Sequence, residues 1–173
     1  HVPRLNATLG FRWNPWIYDA GLAATLSGTD RLALQPGDVV SVMDGMNNIQ
    51  DADWLERVTR EAALGAGALA RARRRGVRAH WRTRNKICGE PTMALNGLSR
   101  PEVNRRFRES NARTAAAMLQ HGVPVLDADA FLEAWLGDST VACSLYEDWI
   151  HVGPQLHVRL TAHEIANVSL HHR

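Results

Sequence analysis

Three short runs that read as strands alternate along this chain with two long stretches of helical periodicity, and that alternation leaves few architectures open to it. Val39-Val40-Ser41-Val42-Met43 is introduced by the turn residues Pro36-Gly37-Asp38 and closed by Asp44-Gly45, which predicts a buried strand. Leu55, Val58, Ala62, Gly65, Leu69 and Ala72 then recur at steps of three and four, which predicts a helix that Asp51 or Asp53 can cap and Gly76 can stop. Val77-Arg78-Ala79-His80-Trp81 reads as the second strand. After a long connection holding Cys88, Pro91 and Gly97, Ser99 and Glu102 make a capping-box pattern around Pro101. The helix they open carries Val103, Phe107, Thr114 and Met118 and runs to Gly122. Val123-Pro124-Val125-Leu126 is the third strand, and Pro124 restricts it to a sheet edge or a strand start.

Strand, helix, strand, helix, strand, helix is the pattern of a parallel α/β sheet with right-handed crossovers. Such sheets bind ligands beyond the carboxyl ends of their strands. Here those ends are residues 44–48, residues 82–85 and Asp127, the polar clusters of the chain.

At 173 residues the chain has the size of one domain with a sizeable core, and residues 1–173 are read as a single unit. It begins with His1 and has no apolar run of signal-peptide or membrane-span length, so it reads as a piece of something longer. A net charge of +2 does not select for polyanions. The local exception is Arg71, Arg73, Arg74, Arg75 and Arg78, which suit the carboxyl end of a helix dipole, and no aromatic platform accompanies them. A nucleic-acid partner is therefore not expected; the rival reading, a basic binder using residues 71–86, would predict strongly salt-dependent binding. Cys88 and Cys143 permit one disulfide without requiring it. The sequons Asn6-Ala7-Thr8 and Asn167-Val168-Ser169, with the paired cysteines, favour a secretory-pathway lumen.

Near the C-terminus, Tyr146-Glu147-Asp148-Trp149-Ile150-His151-Val152 places an acid and a histidine three residues apart. A neutral imidazole serves as a general base only when one nitrogen faces the nucleophile and the other donates to a fixed acceptor, a part Asp148 can play for His151. Gly153-Pro154 follows as a helix start. At the end of the first strand, Gly45-Met46-Asn47-Asn48 can aim an amide and backbone N–H groups at a developing oxyanion. Gly and Asn are equally the ordinary residues of a strand-to-helix turn.

Taken in this order, the chain resembles the SGNH/GDSL hydrolase superfamily, whose third block is Gly-x-Asn-Asp and whose last is Asp-x-x-His. Gly45-Met46-Asn47-Asn48 matches three of the four positions and Asp148-Trp149-Ile150-His151 matches fully. The closer likeness is to the PC-esterase branch, which includes plant wall-polysaccharide and sialic-acid O-acetyltransferases. Trp13-Asn14-Pro15-Trp16 looks like that branch's aromatic-proline segment and Trp81-Arg82-Thr83 like its strand-end signature. The resemblance implies a three-layer α/β sandwich of flavodoxin-like type. It implies a serine acyl-enzyme with His151 as base, Asp148 as its orienting acid, Asn47 and Gly45 at the oxyanion, and Arg82 and Trp149 against substrate. Trp13 and Trp16 could also line an acyl-sugar site, though as aromatic residues they suit a core. It implies no metal or organic cofactor, and the six-residue steps from His151 to His157 and His163 are not a helix-face metal spacing.

The family's nucleophile stands in a Gly-Asp-Ser block after the first central strand, and no such block precedes Val39. Gly137-Asp138-Ser139 has the letters, but the preceding Phe131-Leu132-Glu133-Ala134-Trp135-Leu136 reads as helix, so Ser139 is a weak candidate. The expectation is a domain lacking its first strand and its Gly-Asp-Ser block, poorly stable alone because ladder edges are exposed. The partner implied is an acylated glycan or polysaccharide in the Golgi lumen or outside the cell. The acyl donor, and a membrane anchor outside this chain, stay open. The rival from another class is a non-catalytic glycan-binding domain of the same fold.

Overall fold

The computed structural model describes residues 20–29, 34–43, 48–88 and 97–136, together with residues 143, 145, 146, 153, 155, 158, 159, 161–163 and 166. Its elements in chain order are α1 (Ala20–Ser27), β1 (Val39–Val42), α2 (Trp54–Arg74), β2 (Arg78–Arg82), α3 (Arg100–Gln120), β3 (Val125–Leu126) and α4 (Ala128–Leu136). All three expected strands and both expected long helices are present. α1 has no counterpart among the sequence expectations.

The strands form one parallel sheet in the order β1-β2-β3, with Val39 opposite Arg78, Val42 opposite Trp81, and Trp81 opposite Val125. Both crossovers step the same way, so right-handed connections put α2 and α3 on the same face. There they pack against each other, and α1 packs along α2. β3 is an edge strand among the described residues, as Pro124 requires; the Pro124 carbonyl still accepts from the Trp81 amide at 2.9 Å.

Between sheet and helices lies a core built from small and large residues in turn. Ala62, Ala66, Leu69 and Ala72 of α2 are fully buried, as are Ala79 and Trp81 of β2 and Val103 and Met118 of α3. The run of alanines lets the helix axis approach the sheet closely enough for Trp54 and Trp81 to fill the remaining space. β1 departs from the expectation of a buried strand: Val42 is buried, but Val39 is 55% exposed and Ser41 is exposed. Its alternate side chains point away from the helical layer, as the period of two dictates.

All three of α1, α2 and α3 stop in the same way. A glycine in the left-handed region (Gly28, Gly76, Gly122) follows each helix. In α2 the Val77 amide returns to Ala72 O and the Gly76 amide to Arg73 O; in α3 Val123 returns to Met118 O and Gly122 to Leu119 O. This Schellman pattern satisfies the terminal carbonyls from the chain's own backbone and turns it straight into β2 and β3. The N-termini differ from expectation. Asp53 and Ser99 occupy the N-cap positions, but neither makes a side-chain cap bond. Glu102, expected to close a capping box with Ser99, is held instead by Arg105 and Arg106.

Candidate active site at the carboxyl edge of the sheet

Because β1, β2 and β3 are parallel, their carboxyl ends open on one edge, where Asn48, residues 82–88 and Asp127 lie. Just after β2 the Thr83 amide still donates to the Leu126 carbonyl of β3 at 2.9 Å, and over residues 84–88, which belong to no strand, side chains take over the work of a ladder. Asn111 accepts from the Arg84 amide at 3.0 Å and donates to the Arg84 carbonyl at 2.8 Å. Asn104 does the same for Ile87, at 2.8 and 3.0 Å. The match is one of lengths: seven helical residues rise about 10.5 Å, and three extended residues span about 10 Å. Two asparagines on one face of α3 thus meet residues 84 and 87.

From the other side, the start of α4 contributes. Asp127 caps that helix, accepting from the Ala130 amide at 3.1 Å, and also accepts from the Thr83 hydroxyl at 3.0 Å. Thr83 Oγ1 accepts in turn from the Ala128 amide. Asp129 accepts from the Lys86 amide at 2.8 Å, and burial pushes its carboxyl above the usual range. Arg100 donates to the Cys88 carbonyl at 2.8 Å. The side chain of Arg84 is 4% exposed, with its guanidinium carbon 4.8 Å from the Trp54 ring centre and 4.9 Å from that of Phe107. A planar cation between two aromatic faces is favourable. It fastens the segment to the core.

Arg82, the expected substrate contact, ends β2 half-buried. Beside it stands Tyr146, whose hydroxyl donates to the Lys86 carbonyl at 2.8 Å and accepts from Asn85 Nδ2 at 3.2 Å. Burial raises that phenol to about 12, while the Asn85 hydrogen bond and the Arg82 charge act the other way. Cys88 and Cys143 are joined in a disulfide with their Cα atoms 5.1 Å apart, the alternative the sequence left open. The structure therefore brings together Arg82, Asn85, Lys86 and Tyr146 at the strand ends. Asp148, His151, Asn47, Gly45, Trp149 and Ser139, with Trp13 and Trp16, lie outside the described residues.

Sequence reasoning missed Asn104, Asn111, Asp129 and Tyr146. A signal existed for the first two: asparagine is a poor helix-interior residue, and two of them seven apart on one helix face ask for a partner. Among the described residues no group of three His, Cys, Asp or Glu could hold a metal ion. His163, whose spacing argued against a metal ligand, stacks on Phe131 with ring centres 4.1 Å apart. A groove of about 260 Å³ lined by Ala70, Arg73, Arg74, His121 and Gly122 lies at the opposite end, where α2 and α3 finish and the strands begin.

No protein-family model matches this chain, and no curated protein matches it. A solved structure described as "a putative SGNH hydrolase from Slackia heliotrinireducens" superposes with a TM-score of 0.56 at 22% sequence identity, covering 86% of this chain and 78% of that one. The parallel sheet with its helices is thus an SGNH-type α/β fold, as the alternation of strands and helices and the resemblance in the sequence led us to expect.

Proposed function

We propose that this chain is the hydrolase-fold domain of a serine esterase or O-acyltransferase of the PC-esterase type, acting on O-acetyl groups of carbohydrates. What supports the reading most is the polar cluster of Arg82, Asn85 and Tyr146 at the carboxyl edge of an SGNH-type sheet, where open α/β folds bind ligands. In this reading a serine Oγ from a Gly-Asp-Ser block ahead of residue 1 attacks the acyl carbonyl carbon. His151 takes the serine proton and Asp148 holds the imidazole tautomer. Asn47 and the backbone at Gly45 donate to the oxyanion. Collapse of the tetrahedral intermediate returns the proton from His151 to the departing oxygen and leaves an acyl-serine. Water then releases the acid, or a sugar hydroxyl accepts the acyl group. Arg82 and Trp149 contact the acyl-sugar, and neither step calls for a metal or an organic cofactor.

An acylated glycan as partner fits a compartment in which the Cys88–Cys143 disulfide is stable, the secretory lumen or the cell exterior. The test is a chromogenic acetyl-ester assay on the full-length protein, with and without a glycan acceptor. We expect turnover that His151→Ala lowers by about 10²- to 10⁴-fold, the usual contribution of a general base. A full-length protein that binds glycan but cleaves no ester would make this a binding domain. Loss of turnover in Ser139→Ala, with an upstream serine dispensable, would move the nucleophile to Ser139.

A further inference from the structure

Two independent links tie residues 143–146 to the strand-end segment 83–88. One is covalent, between Cys88 and Cys143. The other is the Tyr146 hydroxyl, which donates to the Lys86 carbonyl and accepts from the Asn85 amide. A turn bond from the Tyr146 amide to Cys143 O at 3.2 Å joins the two links. Immediately beyond, the Gly153 amide donates to Leu145 O at 2.9 Å, so residues 145 and 153 are the two feet of a closed loop. The phenol, raised to about 12, stays an O–H donor wherever an imidazole titrates.

The surface to which these links attach is itself fixed by Asn104, Asn111, Asp129 and the Arg84 sandwich. Covalent geometry carries the restraint onward. Asp148 is two residues after Tyr146 and His151 two before Gly153. Two extended residues span at most about 7 Å, so chain connectivity alone keeps the backbone of each residue of the proposed pair within that reach of an anchored foot, Tyr146 or Gly153.

We infer that the Tyr146 hydroxyl and the Cys88–Cys143 disulfide are positioning devices that hold the acid and base, Asp148 and His151, to the carboxyl end of β2. This rests on the hydrolase reading above. The requirement is strict, since a misplacement of about 1 Å costs on the order of 100-fold in rate. Neither group touches the reacting atoms in this scheme. Each acts through the loop it anchors.

The experiment uses the full-length protein and two readouts, steady-state hydrolysis of p-nitrophenyl acetate and the titration of the His151 ring followed by NMR. Tyr146→Phe is expected to lower kcat about tenfold with KM unchanged and to move the His151 titration. Dithiothreitol should lower kcat of the wild type and not of the double variant Cys88→Ser, Cys143→Ser, which starts low. Gly122→Ala, remote from this edge, controls for stability: its melting temperature falls while kcat and the His151 titration hold. Wild-type kcat and an unmoved titration in Tyr146→Phe would overturn the inference and leave the hydrolase reading standing. A wild type without ester turnover would overturn that reading instead, and the His151 titration in Tyr146→Phe then decides the positioning role alone.

Discussion

Glu102 stands at the third position of α3, where its spacing from Ser99 predicts a reciprocal cap. Its carboxylate instead accepts from Arg105 at 2.8 and 2.9 Å and from Arg106 at 3.1 Å. Two guanidiniums outbid one backbone amide, because charge-assisted bonds are the stronger kind. The Arg105 and Arg106 hydrogen bonds hold the Glu102 carboxyl down at about 2. A carboxylate depressed on folding contributes stability that is present above its unfolded value near 4.5 and is lost as pH falls through about 2. Glu102→Gln should therefore melt below the wild type at pH 6, with the difference closing by pH 2. Thermal melts across that range check it, and a gap that stays constant with pH would remove Glu102 from the acid response. The residue identities were all legible in the sequence. Their pairing was not, since Glu102 has Ser99 three residues before it, Arg105 three after and Arg106 four after, and only geometry chooses among them.

Among the elements, the helix endings were the most legible and the extended segment after β2 the least. Gly76 and Gly122 were expected as stops, and both adopt left-handed backbone with φ of 90° and 68°. They make a matched pair for measurement. A Cβ added at Gly122 meets nothing within 4 Å, so Gly122→Ala tests the backbone alone and should cost about 1 kcal/mol. At Gly76 the same Cβ would stand 3.1 Å from Pro36 Cβ, in the turn whose Gly37 amide donates to the Gly76 carbonyl at 2.8 Å. Gly76→Ala should cost more than Gly122→Ala, by roughly a further 1 kcal/mol of overpacking, read from urea denaturation of both variants. Equal costs would show that the Pro36 turn yields freely. Residues 83–88 carry no periodicity that announces a structure, because their partners are single side chains on α3 and α4 far along the chain. α1 was missed for a related reason: Ala20-Gly21-Leu22-Ala23-Ala24-Thr25-Leu26-Ser27 is short, and its helix is held by packing on α2 and by the Arg75 guanidinium on Leu26 O.

Over the whole molecule, the succession of strands and helices along the chain was readable from periodicity, whereas the sheet order β1-β2-β3 came only with the structure, because right-handed crossovers fix the hand of each connection and not which strands lie side by side. The disulfide was not readable, since two cysteines 55 residues apart allow a bond and do not compel one. Closing a loop of that length restricts the unfolded chain by roughly 4 kcal/mol on the loop-entropy relation. Reduction should lower the melting temperature well beyond the effect of any single surface substitution, and calorimetry with and without reductant measures it; an unchanged melt would mean that the bond adds little to the fold. The candidate catalytic residues were named from motif order alone, and Asp148, His151, Asn47 and Gly45 lie outside the described residues. The asparagine pair on α3 has one more consequence, which concerns molecules other than this one. By filling the amides and carbonyls of residues 84 and 87, Asn104 and Asn111 leave the segment after β2 with few vacant backbone groups for a neighbouring chain to pair with. A stretch that would otherwise be a template for intermolecular strand addition is occupied in advance by its own helix, and crowding in a concentrated solution finds less there to recruit.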